Sequence, residues 1–227
     1  AVRHGIDPSE DGGRIDVQLF PSMQLGGKPP QLFDQARDGI VDISWTLLGY
    51  TPGRFPIAEV FELPFMSGTA AQTTAALQQF QAKYLGEELA QVKPLLLHAP
   101  AGYKFHMRSD PITSLADLRG KKIRAPASKI MVDTLRAIGA EPVSMPLGDV
   151  APALRNGTVN GLEANYGLIF TQKFYEGAKF VTADVSLWPF PAVVVINKDQ
   201  WDGLSEDQQK ILTDAGKNLA KNSVESF

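Results

Sequence analysis

The stretch RGKKIRAPASKIMVDTLRAIGAEPVSMPLGDVAPALRNGTVNGLEAN, residues 119–165, alternates short β-branched runs with helical patterns. Lys121–Ala125 reads as a strand, and Met131, Leu135 and Ile138 then recur at helical spacing until Gly139 ends the helix. Val143–Met145 is a strand again, a short helix runs to Arg155, and Val159–Glu163 is the next strand. Strands interleaved with helices in this way predict an α/β architecture with mixed, mostly parallel sheets and helices on both faces.

The same alternation extends in both directions. Upstream, Ile15–Phe20 alternates apolar and polar residues and reads as a half-buried strand. Pro29 and Pro30 suit a helix start and Gly39 its end, with Leu32, Phe33 and Ala36 as the buried stripe. Ile40–Trp45 is the next expected strand, the Gly- and Pro-rich 49–56 stretch a loop, 70–90 a helix, and Leu95–Ala99 a strand. Lys104–Met107 reads as a strand, and Ser114 with Asp117 opens a short capped helix closed by Gly120. Downstream, Ala192–Ile196 is a continuous apolar run suited to a strand buried on both faces, and Ser205 with Gln208 caps a final helix. A break near residue 100 suggests two lobes: 1–101 plus 190–227, and 102–189.

The chain has 227 residues, 44 % hydrophobic and 21 % charged, with a net charge of −3. That balance argues against a nucleic-acid binder, which presents a basic face. Without cysteine there is no disulfide framework, thiolate metal site or cysteine nucleophile. No apolar run approaches the roughly 18 residues of a membrane span. The N-terminus lacks a signal-peptide pattern, so an exported protein would have lost its signal. Dinucleotide, phosphate-loop, nucleophile-elbow and zinc-helix motifs are all missing from the sequence. His98 and His106 read as ordinary strand histidines, and Glu59 and Glu62 as solvated loop or helix-end acids. Neither a catalytic set nor a cofactor or metal site is expected.

Arg124 stands out by its place. It falls at the C-terminal end of a predicted strand, before Ala125–Pro126 and a helix start, which is the edge where open α/β sheets bind ligands. A guanidinium there can grip a carboxylate through two parallel charge-assisted hydrogen bonds. On pattern alone, the run Arg119, Lys121, Lys122 and Arg124 reads first as a solvated basic turn, since charged runs usually face water.

Seven segments decide between these readings: FPSMQLGG (20–27), FELPFM (61–66), DLRGKKIRAP (117–126), IGAEPVSMP (138–146), ALRNGTVNGLEAN (153–165), QKFYE (172–176) and NKDQWDGLSEDQQKIL (197–212). In this order the chain resembles the DctP-type substrate-binding proteins of tripartite ATP-independent periplasmic (TRAP) transporters, the family of C4-dicarboxylate and sialic-acid receptors. The resemblance implies a two-lobed periplasmic binding-protein fold (type II-like) with a central ligand cleft. It implies a monomeric periplasmic receptor, not an enzyme, that hands a small carboxylate anion to the small and large integral membrane subunits. Arg124 matches the family's carboxylate-binding arginine. Lys104 falls where some members place a second cation, with Arg108 its nearby competitor. Trp45 and Tyr50 follow the strand whose loop lines the cleft, and Leu147, Trp188 and Phe190 match pocket-wall or hinge positions.

The match departs from the family at two places. The family's acid–asparagine pair appears here as Glu163-Ala164-Asn165, so either Glu163 or Asn165 faces the ligand, or neither does. Members also usually carry a strand and helix before Gly12-Gly13-Arg14 and a further C-terminal segment, so the resemblance implies a chain shortened at both ends. Trp45, Tyr50 and Trp188 favour a monocarboxylate with an apolar or aromatic body over a small dicarboxylate. Two rivals share the outline: an ABC-type solute-binding protein and a small α/β enzyme acting on organic acids.

Overall fold

The computed structural model describes residues 15–225 apart from Ser22, Ser67, Ala101 and Trp188, with side chains described as far as Ala220. Two sheets organise it. The first has three strands in the order β1 (Ile43–Leu47), β8 (Ala192–Asn197), β2 (Val92–His98). The second has five, in the order β5 (Glu141–Ser144), β4 (Lys122–Ala125), β6 (Gly161–Ala164), β3 (Lys104–Met107), β7 (Phe180–Val181).

The sheets are mixed, but they are not mostly parallel. Among the described strands the parallel pairs are β4 with β5 and β4 with β6; β8 runs antiparallel to both β1 and β2, and β3 to both β6 and β7. Connectivity is the cause. The chain leaves the first sheet along β2, builds the second, and returns along β8, so the incoming strand opposes the outgoing one.

Helices start and stop where local chemistry dictates. Pro29–Gln31 forms one 3-10 turn before α1 (Leu32–Arg37), and Gly39 with φ 70° breaks the chain after it. In α2 (Ala70–Tyr84), Thr69 and Gln72 complete a reciprocal capping box. The Oγ of Ser128 caps α3 (Lys129–Ala137) by accepting from Met131 N–H, and Gly139 follows at φ 90°. Next come α4 (Val150–Asn156) and α5 (Tyr166–Thr171), then α6 (Lys198–Asp202) and α7 (Glu206–Glu225) after β8.

The expected strand at Ile15–Phe20 does not form. No described strand pairs with it, and Leu19 and Phe20 are 68 % and 50 % exposed. Three apolar clusters carry the packing. One lies under the first sheet around Leu77, Leu97 and Val195, and one between the second sheet and α4–α5 around Leu154 and Leu162. The third joins the sheets: Leu47, Phe190 and Ala192 pack with Tyr103, Phe105, Ile123, Ala125 and Met131.

Candidate carboxylate site

At this junction the C-terminal ends of β4 and β6 meet the segment that leads into β8. Arg124 is the penultimate residue of β4 and only 2 % exposed. Its Nε and Nη2 both donate to the carbonyl of Met145, at 3.3 and 3.1 Å, which fixes the plane of the guanidinium. No described carboxylate lies within ion-pair distance of it. Burial lowers its pKa, while Tyr50, Tyr103 and Glu163 oppose that shift electrostatically.

Around it stand three aromatic rings. Phe190 is fully buried and meets Tyr50 and Tyr103 edge-on, with ring centroids 6.0 and 5.9 Å away. Burial raises the pKa of both tyrosines, and each feels the positive charge of Arg124. Glu163, on β6, is 1 % exposed and neither carboxylate oxygen has a hydrogen-bond partner among the described residues. Burial drives its pKa well above the ordinary range and so favours the neutral acid, against the pull of Arg124.

Glu62, which the sequence reads as a solvated acid, lies beside the Phe190 ring instead. It is 1 % exposed because the 3-10 turn Ala58–Glu62 packs against α3. The Ser128 hydroxyl donates to its Oε2 at 2.5 Å, a buried bond between residues 66 positions apart. Its Oε1 has no partner among the described residues. A Cβ at Gly49 would stand 2.1 Å from that oxygen and 2.5 Å from the Phe190 ring, so only glycine fits there. Burial raises the Glu62 pKa to about 7, with the Ser128 bond lowering it and Glu59 raising it.

The structure therefore brings Arg124, Glu163, Tyr50 and Phe190 together and leaves the other expected residues elsewhere. Trp45 is 49 % exposed, on the β1 face it shares with Leu47, and its indole N–H donates to His98 Nε2 at 3.1 Å. The Lys104 ammonium donates to the Ala183 carbonyl and stands 5.9 Å from the Tyr166 ring centroid. Arg108 lies past the far end of β3, exposed, in a surface depression with Arg155 and Lys179. The Asn165 side chain caps α5 by accepting from Leu168 N–H, and Leu147 packs at the edge of the Leu154 cluster. Trp188 lies outside the described residues. Glu62, Ser128, Gly49 and Tyr103 are the members that sequence reasoning missed. Of the seven family-like segments, 61–66 contains Glu62.

The family model for DctP, bacterial extracellular solute-binding protein, family 7, matches residues 9–227. The chain belongs to this family. It is 27 % identical over 223 residues to the ectoine-binding periplasmic protein TeaA of Halomonas elongata, covering 95 % of this chain and 64 % of that protein. It is 30 % identical over 197 residues to the C4-dicarboxylate-binding periplasmic protein DctP of Rhodobacter capsulatus, covering 86 % and 59 %. The chain thus spans less than two thirds of the length of these family 7 relatives. Among solved structures, a marine metagenome TRAP solute-binding protein specific for aromatic acid ligands, in complex with 3-hydroxybenzoate, superposes with a TM-score of 0.90 at 39 % identity, covering 96 % of this chain and 69 % of that one. A TRAP solute-binding protein of Rhodoferax ferrireducens T118, in complex with copurified benzoate, gives a TM-score of 0.87 at 37 % identity, covering 96 % and 68 %. These neighbours share the two-lobed α/β fold of family 7.

Proposed function

We propose that this protein is an extracytoplasmic receptor that captures an aromatic monocarboxylate between two lobes and delivers it to TRAP membrane subunits. The lobes would comprise residues 1–101 with 190–227, and 102–189. One observation carries the reading: Arg124, 2 % exposed, has no carboxylate within ion-pair distance among the described residues and lies near Tyr50 and Tyr103, whose rings meet Phe190. A buried cation without a partner is costly, and a ligand carboxylate relieves that cost. The edge-on rings supply an apolar wall that suits an aromatic body better than a small dicarboxylate.

The solved relatives support this choice, because two that resemble the chain at 39 % and 37 % identity hold 3-hydroxybenzoate and benzoate. The mechanism is binding and closure. The Met145 carbonyl holds the guanidinium in plane, the ligand carboxylate completes its hydrogen bonds, and the closed form presents one shape to the membrane partner. A micromolar dissociation constant corresponds to about −8 kcal/mol. A charged pair contributes only ~1.5–3 kcal/mol net, so ring contacts must provide most of the remainder.

A thermal-shift screen over benzoate, mandelate, succinate and ectoine tests the reading, since a ligand of the folded state raises the melting temperature. Stabilisation by the aromatic acids and none by succinate is expected. Stabilisation by succinate alone would reject the aromatic class.

A further inference from the structure

We infer that Glu62 is a specificity-determining residue of this cleft, accepting a hydrogen bond from a ring hydroxyl, so that the preferred ligands are hydroxylated aromatic carboxylates. The inference rests on the aromatic-carboxylate reading above and names the second group that the site recognises.

The geometry has three parts. First, the two oxygens of Glu62 are not equivalent. Oε2 takes the Ser128 hydroxyl proton at 2.5 Å, while the Ser128 Oγ itself accepts from Met131 N–H at 3.2 Å. The cap of α3 therefore holds one oxygen in place and leaves Oε1 directed elsewhere. Second, Oε1 is buried and has no partner among the described residues. An acceptor in that condition loses its water without replacement, and a donor brought by a ligand restores what was lost. Third, Oε1 adjoins the rings that stand near Arg124. It lies over Gly49 against the Phe190 ring, and that ring touches Tyr50 and Tyr103. The Tyr103 hydroxyl feels the charges of Arg124, Glu163 and Glu62 together. An unpaired cation and an unpaired acceptor thus flank one set of aromatic walls. A flat ring with a carboxylate at one side and a hydroxyl at another satisfies both.

The carboxyl's proton affinity fits this role. With a pKa near 7, Glu62 is partly ionised at neutral pH, and the ionised form accepts from a phenol at Oε1.

Isothermal titration of the whole chain with benzoate, 3-hydroxybenzoate, its para isomer and the matching fluorobenzoates decides the matter, because fluorine nearly matches the hydroxyl in size but donates nothing. The wild type should bind the better hydroxybenzoate at least about tenfold more tightly than its fluoro counterpart. In Glu62→Met, which keeps length and removes the acceptor, that preference should fall below about twofold. The wild-type comparison needs no variant, so a misfolded Glu62→Met would not protect the idea. Benzoate binding without any hydroxyl preference would overturn the role of Glu62 and leave the aromatic-carboxylate reading standing. So would a preference that survives Glu62→Met. Binding of no aromatic carboxylate at all would overturn both.

Discussion

In the proposed site Arg124 supplies the charge that a ligand carboxylate would answer, and its environment argues that lysine is no substitute. Two guanidinium donors are committed to Met145, leaving the others for a second partner. An ammonium is a point charge that cannot serve both in one plane. Arg124→Lys is expected to weaken ligand binding by about 10- to 100-fold by calorimetry, with the melting temperature of the free protein little changed. The buried acids and histidines give a second prediction, on pH. Glu62 is raised from 4.5 to about 7, so between those values the folded protein holds a proton that the unfolded chain has lost, and stability falls as pH rises. Glu163 acts with the same sign. Burial lowers His98 and His106 from 6.5 to about 4, so there the unfolded chain holds the extra protons and stability rises with pH. The two trends oppose each other below pH 6.5, and the acids act alone above it. Thermal unfolding should show the midpoint falling above about pH 6.5, and Glu62→Gln should flatten that fall. Arg124 could be singled out from sequence only through the family resemblance, since on pattern alone its basic run reads as a solvated turn, although its place at a strand end before a helix start is a local signal that agrees. Glu62 could not, because its burial comes from α3, which is folded from residues far along the chain.

At the next scale, the elements that sequence placed well are those with local punctuation. Gly39, Gly120, Gly139 and Gly157 take left-handed φ of 70, 68, 90 and 74° where helices or turns must stop. Thr69, Ser114 and Ser205 each cap the element that follows. Strands fared less evenly, since a strand is defined by its partner. Ile15–Phe20 has the right alternation and no described neighbour to pair with, and Pro94 is accommodated in β2 at a register shift on the sheet edge. The parallel expectation failed for a similar reason, because the return of β8 between β1 and β2 is a property of the path. Helix α3 offers a sharp test. Ser128 both caps it and binds Glu62, so Ser128→Ala removes a cap worth about 0.5–2 kcal/mol and strips Oε2 of its partner. A loss of about 2 kcal/mol or more in denaturant unfolding is expected, larger than for an ordinary exposed cap. Gly49→Ala should cost about 1–3 kcal/mol, because its Cβ has no space beside Glu62 and Phe190.

Over the whole molecule, the chain passes between the sheets twice, from β2 to β3 and from β7 to β8, and the two passages touch. A Cβ at Gly102 would fall 1.5 Å from Ser186 Oγ. These crossings adjoin the shared cluster of Leu47, Phe190, Ala192, Tyr103 and Ile123, so any opening that admits a ligand to Arg124 must bend there. Gly102→Val is expected to hold the passages apart, lowering ligand affinity by about tenfold or more and enlarging the ligand-bound radius of gyration in X-ray scattering. The central claim is that the buried guanidinium is the carboxylate receptor. A crystal structure with benzoate tests it most directly. The account predicts both carboxylate oxygens about 2.7–2.9 Å from Arg124 nitrogens, with the ring against Tyr50, Tyr103 and Phe190. Benzoate bound elsewhere, with Arg124 still bonded to Met145 alone, would contradict it.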